Sequence, residues 1–287
     1  MHVAVLAGLL KVVCPDWFEA MRALDVNSVE LSLGRSCTVD DADLLRDGEE
    51  PFDLRKSEAR AALKCRFDEN GAIINAFMLG TDFAAEDLKA ETDWLVTACE
   101  AAEEMGLPAV RVDCLPHREM DGKKFEDRCV GAIRTALKAT SRVKLGMENH
   151  GHVSNRPEFI EKMLDRVGDG RMGLTLDTGN LYWFGHPLEH VYEIMERFAD
   201  RVCHTHVKNI SFPAELRNVR REIGLGYAEY VCPVHEGDVD HRRVVQILKA
   251  GGYDGDLSLE DESLGKFSPQ EQKENLRKSV EHLKSCL

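Results

Sequence analysis

Four apolar, strand-like runs in succession finish on a side chain of metal-binding type. They are Glu148 in Gly-Met-Glu-Asn-His-Gly, Asp177 in Leu-Asp-Thr-Gly-Asn, His206 in His-Thr-His-Val-Lys-Asn and Glu260 in Leu-Ser-Leu-Glu-Asp-Glu. Any single acidic residue can end a strand and open a loop, but four successive strand ends are a rarer coincidence. In a closed parallel barrel such positions converge on one pocket. Three carboxylates and one imidazole suit Mn²⁺, Mg²⁺, Co²⁺ or Zn²⁺ better than a thiophilic ion, and the set leaves the identity of the metal open. Open coordination positions would then be left for substrate oxygens, as in a catalytic site.

Residues two apart on a strand share a face, which adds neighbours to this set. His204 and Lys208 go with His206, His150 with Glu148, and Glu262 with Glu260. A lone strand histidine such as His204 is more often a hydrogen-bonded residue of the barrel interior than a ligand. Lys208 brings a second positive charge beside the metal, and its use would be to bind or polarise a substrate oxygen. His150 and Glu262 read equally as support for the ligands or as loop surface. Arg111 and Asp113 share a face on another run, as an internal salt bridge or a substrate contact, and Glu30 is a weaker pocket residue. Trp17, Phe77, Trp183 and Phe184 can wall a sugar site but as large apolar residues are more often core.

The elements that must position these groups alternate along the whole chain. Eight short apolar runs are expected as strands: Val3–Leu9, Ser28–Leu33, Ala72–Leu79, Ala109–Cys114, Val143–Glu148, Met172–Asp177, Val202–Lys208 and Asp256–Glu260. Helical patterns follow them over Asp16–Leu24, Leu54–Lys64, Ala84–Met105, Gly122–Thr140, Pro157–Arg166, Pro187–Phe198, Asp240–Ala250 and Ser268–Cys286. Eight such units predict one α/β domain over residues 1–287, a single (β/α)8 TIM barrel ending in a C-terminal helix. An open doubly wound sheet is the rival, but Ala7-Gly8-Leu9-Leu10-Lys11 is no phosphate-binding glycine loop. The one break in the rhythm is Ile210–Asp238, a long loop after the seventh strand that would lie over the C-terminal face.

Composition narrows the function. The 287 residues carry a formal net charge of −14, with no basic stripe to hold nucleic-acid phosphates or an anionic membrane. No run of about 18 uncharged apolar residues occurs, and the N-terminal run has no basic segment before it, so it reads as a buried strand and not a signal peptide. Nine cysteines without a Cys-x-x-Cys pair argue for reduced thiols and a cytoplasmic protein. The partner expected is a small-molecule sugar; a homo-oligomer is left open.

Taken together, these residues resemble the xylose isomerase-like TIM barrel superfamily, the sugar phosphate isomerase/epimerase family. It includes sugar isomerases and epimerases, inosose dehydratases and the barrel-type apurinic endonucleases. The resemblance runs from Val3 to about Glu262 and rests on Glu148-Asn149-His150, Leu176-Asp177-Thr178-Gly179-Asn180, His204-x-His206-x-Lys208-Asn209, Glu236-Gly237-Asp238-Val239-Asp240 and Leu257-Ser258-Leu259-Glu260. It implies Glu148, Asp177, His206 and Glu260 as metal ligands, with manganese among the candidate ions. In the family's ketose epimerases the two glutamates also trade a proton with a substrate carbon. Those enzymes often carry a histidine three residues after the metal-binding aspartate, where this chain has Asn180. The nucleases look to that histidine for a further metal.

The expected activity is therefore metal-dependent isomerisation or epimerisation of a ketose or related sugar through an enediolate. Glu148 and Glu260 exchange the proton, Lys208 holds the oxyanion, and His150, Asn180 and Lys208 contact substrate. The alternative is a lyase, the dehydration of an inosose or keto-sugar, with Lys208 or His150 as the acid. Phosphodiester cleavage at abasic DNA is less favoured, and so is a non-catalytic sugar-binding barrel, whose clustered carboxylates would repel one another without a cation.

Overall fold

The computed structural model describes residues 1–46 and 48–287. The eight apolar runs form eight parallel strands: β1 (His2–Leu6), β2 (Ser28–Ser32), β3 (Ile73–Leu79), β4 (Ala109–Val112), β5 (Lys144–Glu148), β6 (Met172–Asp177), β7 (Val202–His206) and β8 (Asp256–Leu259). From β1 to β7 each pairs with the next, and β8 pairs with β1 from His2↔Asp256 to Val5↔Leu259. The remaining seam, β7 to β8, is closed by a single bridge, Val207↔Leu259. Below that bridge the Thr205 hydroxyl donates to Asp256 O at 3.0 Å and accepts from Ser258 N at 3.2 Å. A side chain thus stands in for missing ladder bonds and ties the strand carrying His206 to the one leading to Glu260.

Alternation along the strands separates two environments. Val29 and Leu31, or Val110 and Val112, point outward into the apolar layer under the helices. Glu30, Arg111, Glu148 and Asp177 are buried polar residues on the other face. The helices that cover the sheet carry their own start and stop signals. Asp16, Asp87, Asp121 and Asp240 each accept a backbone N–H as N-cap, Ser268 and Glu271 form a reciprocal capping box, and Gly106 and Gly168 end helices in the left-handed conformation.

The helix expected over Leu54–Lys64 runs Ser57–Asp68, a short antiparallel pair joins Thr38–Val39 to Phe52–Asp53, and two further departures from the sequence reading concern the first and seventh strands. The run Val3–Leu9 is strand only to Leu6; Ala7–Val13 is a helix with Leu10 buried. A continuous apolar run looks alike as buried strand or buried helix, so periodicity cannot mark the change. The seventh strand ends at His206, and beyond it Asn209–Ile210 pairs antiparallel with Val231–Cys232. That pair stiffens the long connection, which also carries two short helical turns, Ala214–Arg217 and Tyr227–Tyr230.

The approach to β5 is fastened by Glu103, from the helix Leu88–Met105. Its carboxylate accepts from Ser141 N and Oγ, Arg142 N and Val143 N. The Ser141 hydroxyl and these backbone donors hold the Glu103 carboxyl down at about 2. A folded value below the unfolded one stabilises the fold at pH values above the unfolded pKa and is lost as the carboxyl protonates. Glu103→Gln is therefore expected to lower the melting temperature at pH 7, with the gap to wild type closing as pH falls from about 4.5 towards 2. A gap in calorimetric scans that did not change with pH would contradict this role.

Candidate active site

The four strand-end side chains meet at the C-terminal mouth of the barrel. One ligand atom from each of Glu148, Asp177, His206 and Glu260 lies within 4.8 Å of the others. Local chemistry orients each of them. At the end of β6, Asp177 Oδ1 accepts from the backbone of Gly179 at 2.8 Å and of Asn180 at 2.7 Å, which turns Oδ2 into the pocket. Asn149 stitches β5 to β6, accepting from Asp177 N at 2.8 Å and donating to Asp177 O at 3.0 Å. Thr178 does the same between β6 and β7, donating to Lys208 O at 2.9 Å and accepting from Lys208 N at 3.2 Å. Gly179 is required beside it, because a β-carbon there would collide with the Lys208 side chain.

His206 is held from behind. Its Nε2 lies 2.9 Å from Glu30 Oε2, leaving Nδ1 directed at Glu148 and Glu260, 3.5 and 3.3 Å away. A carboxylate behind an imidazole fixes its tautomer and makes the other nitrogen a better ligand. Glu30 also meets His204 Nε2 at 3.0 Å and accepts from Ser258 Oγ at 3.1 Å, while His204 Nδ1 lies 3.0 Å from Asp256. Burial pushes the His204 imidazole down, but Asp256 and Glu30 outweigh it and bring it up to about 9. His204 thus lies between two carboxylates and supports the layer beneath the site.

Three atoms at the centre, Asp177 Oδ2, His206 Nδ1 and Glu260 Oε2, are buried and make no hydrogen bond. Buried orphans of this kind are expensive, and three converging ones are the donor set a divalent cation satisfies. Burial pushes the Asp177 carboxyl up to about 7 against the pull of Lys208. The residues therefore fit a single metal ion, with Glu148 as the fourth ligand.

Other groups surround this centre. Lys208 Nζ lies 3.2 Å from Asp177 Oδ2, 3.0 Å from Glu260 Oε2 and 2.7 Å from Glu262 Oε1. Burial would lower its ammonium, but Asp177, Glu260 and Glu262 hold it well above the usual lysine value. Arg111 bridges Glu148 and Asp113, with Nη1 2.7 Å from Asp113 Oδ2, and Asn180 Nδ2 donates to Glu148 Oε1 at 3.0 Å. His150 Nδ1 is 2.9 Å from the other Asp113 oxygen, and that hydrogen bond raises the imidazole above its ordinary value. Asp113, Glu148 and His150 form a second convergent group, but the Arg111 guanidinium already supplies the positive charge between its carboxylates.

The remaining sequence expectations sort by contact. Trp17, Phe77 and Phe184 are buried, and Trp183 packs edge-on to His152. Three arginines of the long loop are engaged elsewhere. Arg217 pairs with Asp238 at 3.0 Å, Arg220 Nη1 is 2.7 Å from His186, and Arg221 stacks on Tyr182 and Phe212 while donating to backbone carbonyls. Sequence reasoning passed over Asn149, Thr178, Asp256 and Tyr227. Their contacts join residues far apart in the chain, and only the standing of Asn149 and Thr178 beside the ligands signalled them.

A closed parallel barrel with a strand-end cluster of carboxylates and histidine defines a class of enzyme scaffolds. Residues 18–286 match the family described as xylose isomerase-like TIM barrel, and the chain belongs to that family. It is 28% identical over 133 residues to an inosose dehydratase of Clostridium perfringens, an alignment covering 44% of this chain and 43% of that protein. The chain thus spans under half the length of the curated relatives it matches. Among solved structures, the IolI protein with a bound zinc atom superposes with a TM-score of 0.71 at 15% identity, over 100% of this chain and 99% of that one. The 3-keto-D-glucoside 4-epimerase YcjR of E. coli gives 0.67 at 12% identity over 100% of both chains. Among the described residues no helix is long and apolar enough to cross a membrane.

Removing the support behind His206 tests the ligand set. Glu30→Gln is expected to weaken Zn²⁺ or Mn²⁺ binding about 10- to 100-fold in competition with a chromophoric chelator. Unchanged affinity would take His206 out of the set.

Proposed function

We propose that the protein is a metal-dependent isomerase or epimerase that moves a proton on an uncharged ketose or related sugar. The observation that carries this is the convergence of Asp177 Oδ2, His206 Nδ1 and Glu260 Oε2, orphaned and buried, beside the Lys208 ammonium. A divalent cation held there would supply Lewis acidity to a carbonyl oxygen and the adjacent hydroxyl, acidifying the C–H of the hydroxyl-bearing carbon. Glu260, whose side chain is 20% exposed, takes the proton from the open side of the pocket. Lys208 holds the developing oxyanion. For isomerisation Glu260 returns the same proton to the neighbouring carbon; for epimerisation Glu148 must enter the cycle protonated and gives that proton to the opposite face, ending ionised as Glu260 ends protonated. Arg111 and Asn180 fix the Glu148 carboxylate for that approach. An uncharged substrate agrees with the engagement of Arg217, Arg220 and Arg221 elsewhere, and free cysteines agree with a cytoplasmic setting.

Dehydration is the second reading, favoured by the His150–Asp113 pair and the similarity to an inosose dehydratase. With Nδ1 committed to Asp113, Nε2 is the nitrogen left to protonate a leaving hydroxyl. Both readings share the first proton abstraction and differ in product. Phosphodiester cleavage at DNA is not supported by a chain of net charge −14 or by a neighbouring cluster already neutralised by Arg111.

The test is proton NMR in D₂O with Mn²⁺-loaded and chelator-cleared protein and a panel of ketoses, keto-sugars and inososes. Metal-dependent deuterium incorporation into a new sugar isomer is expected, an unsaturated product would transfer the assignment to dehydration, and no exchange with any of them or their phosphates would refute both. Glu260→Gln is expected to lower turnover by about 10²- to 10⁴-fold with the fold retained by circular dichroism, and Glu148→Gln likewise. Turnover retained by either variant would remove that residue's assigned role.

A further inference from the structure

Lys208 is the least expected group at the mouth. Its side chain is 5% exposed, and an ammonium so buried is tolerated only when paired. Two oxygens near it, Asp177 Oδ2 at 3.2 Å and Glu260 Oε2 at 3.0 Å, are also cation-ligand atoms, yet neither accepts a hydrogen bond. The ammonium's hydrogen bond goes to Glu262 Oε1 at 2.7 Å. The other Glu262 oxygen is held by the Tyr227 hydroxyl. Glu262 follows β8, whereas Tyr227 opens a helical turn of the 210–238 connection, so one loop holds the ammonium and a second braces the carboxylate that holds it. The left-handed Gly226 sets the turn, since a β-carbon there would strike the Tyr230 ring.

We propose that Lys208 is the built-in counter-cation of the ligand cluster, and that Glu262 and Tyr227 form a tether that takes up the ammonium's hydrogen bond, so that it lies against Asp177 and Glu260 without hydrogen-bonding to them and leaves their oxygens open to a divalent cation. The inference rests on the cation site proposed above and adds what controls its occupancy. With no tether the ammonium turns its hydrogen bonds to the two oxygens it already lies against and competes with the metal. With no ammonium the carboxylates face the metal unopposed, since like charges a few ångströms apart in a buried site repel strongly. Lys208 and Tyr227 thus act on metal affinity in opposite directions, and Tyr227 is a positioning residue that acts only through Lys208.

The experiment measures Zn²⁺ and Mn²⁺ dissociation constants by chelator competition for wild type, Lys208→Met, Tyr227→Phe and the double variant. Methionine keeps the stem that packs on Gly179 and removes only the charge. Lys208→Met is expected to bind metal at least tenfold more tightly although it deletes a polar group from the site. Tyr227→Phe changes no charge and is expected to bind about threefold more weakly, and in the Lys208→Met background the same change is expected to do nothing. If wild type binds metal and Lys208→Met binds equally or more weakly, the counter-cation role is overturned; if Tyr227→Phe acts equally in both backgrounds, the tether is overturned. Wild type that took up neither ion would refute the cation site itself, and this inference with it. Should Lys208→Met fail to fold, Lys208→Gln supplies the uncharged partner for the same comparison.

Discussion

The structure depends on keeping carboxylates buried at the mouth of a barrel. Glu148, Asp177 and Glu260 come together within a few ångströms, with Glu30, Asp113 and Asp256 close behind. Isolated charges in such a place would protonate or force the strands apart. The chain answers each one: Arg111 for Glu148 and Asp113, His204 for Glu30 and Asp256, and Lys208 for Asp177 and Glu260. What these leave over is the set of orphaned atoms on Asp177, His206 and Glu260, where an external cation would complete the balance.

Holding like charges at fixed distances also requires a rigid rim. Backbone ladders thin out here, because the ligand-type residues lie where the strands end. Side chains reinforce them: Asn149 links β5 to β6, Thr178 links β6 to β7, and Thr205 links β7 to β8. Each binds the backbone of the neighbouring strand with both a donor and an acceptor, fixing register and angle together. The motifs are therefore composite, with one residue facing the pocket and the next bracing the strand that carries it.

Much of this was legible in the sequence. Eight apolar runs separated by capped amphipathic segments specify the barrel, and the ligand-type residues at successive strand ends come together at one mouth. The reading of His204 as an interior hydrogen-bonded residue agrees with its contacts, as does the salt bridge of Arg111 with Asp113. What was not legible depends on distance in the chain. Glu30 stands 176 residues from His206, and nothing local marks it as the group behind that ring. Tyr227 lies in a loop without periodicity, so its grip on Glu262 has no sequence signal. The switch from strand to helix after Leu6 was hidden because both states bury the same apolar residues.

The central claim is that one divalent cation belongs among four strand-end side chains. The most direct measurement is a crystal structure of the zinc-loaded protein with diffraction recorded on both sides of the zinc absorption edge. One anomalous peak is expected within about 2.0–2.2 Å of Asp177 Oδ2, His206 Nδ1 and carboxylate oxygens of Glu148 and Glu260. A peak seated instead between Asp113 and His150, or no peak with the Lys208 ammonium still against Asp177 and Glu260, would contradict it.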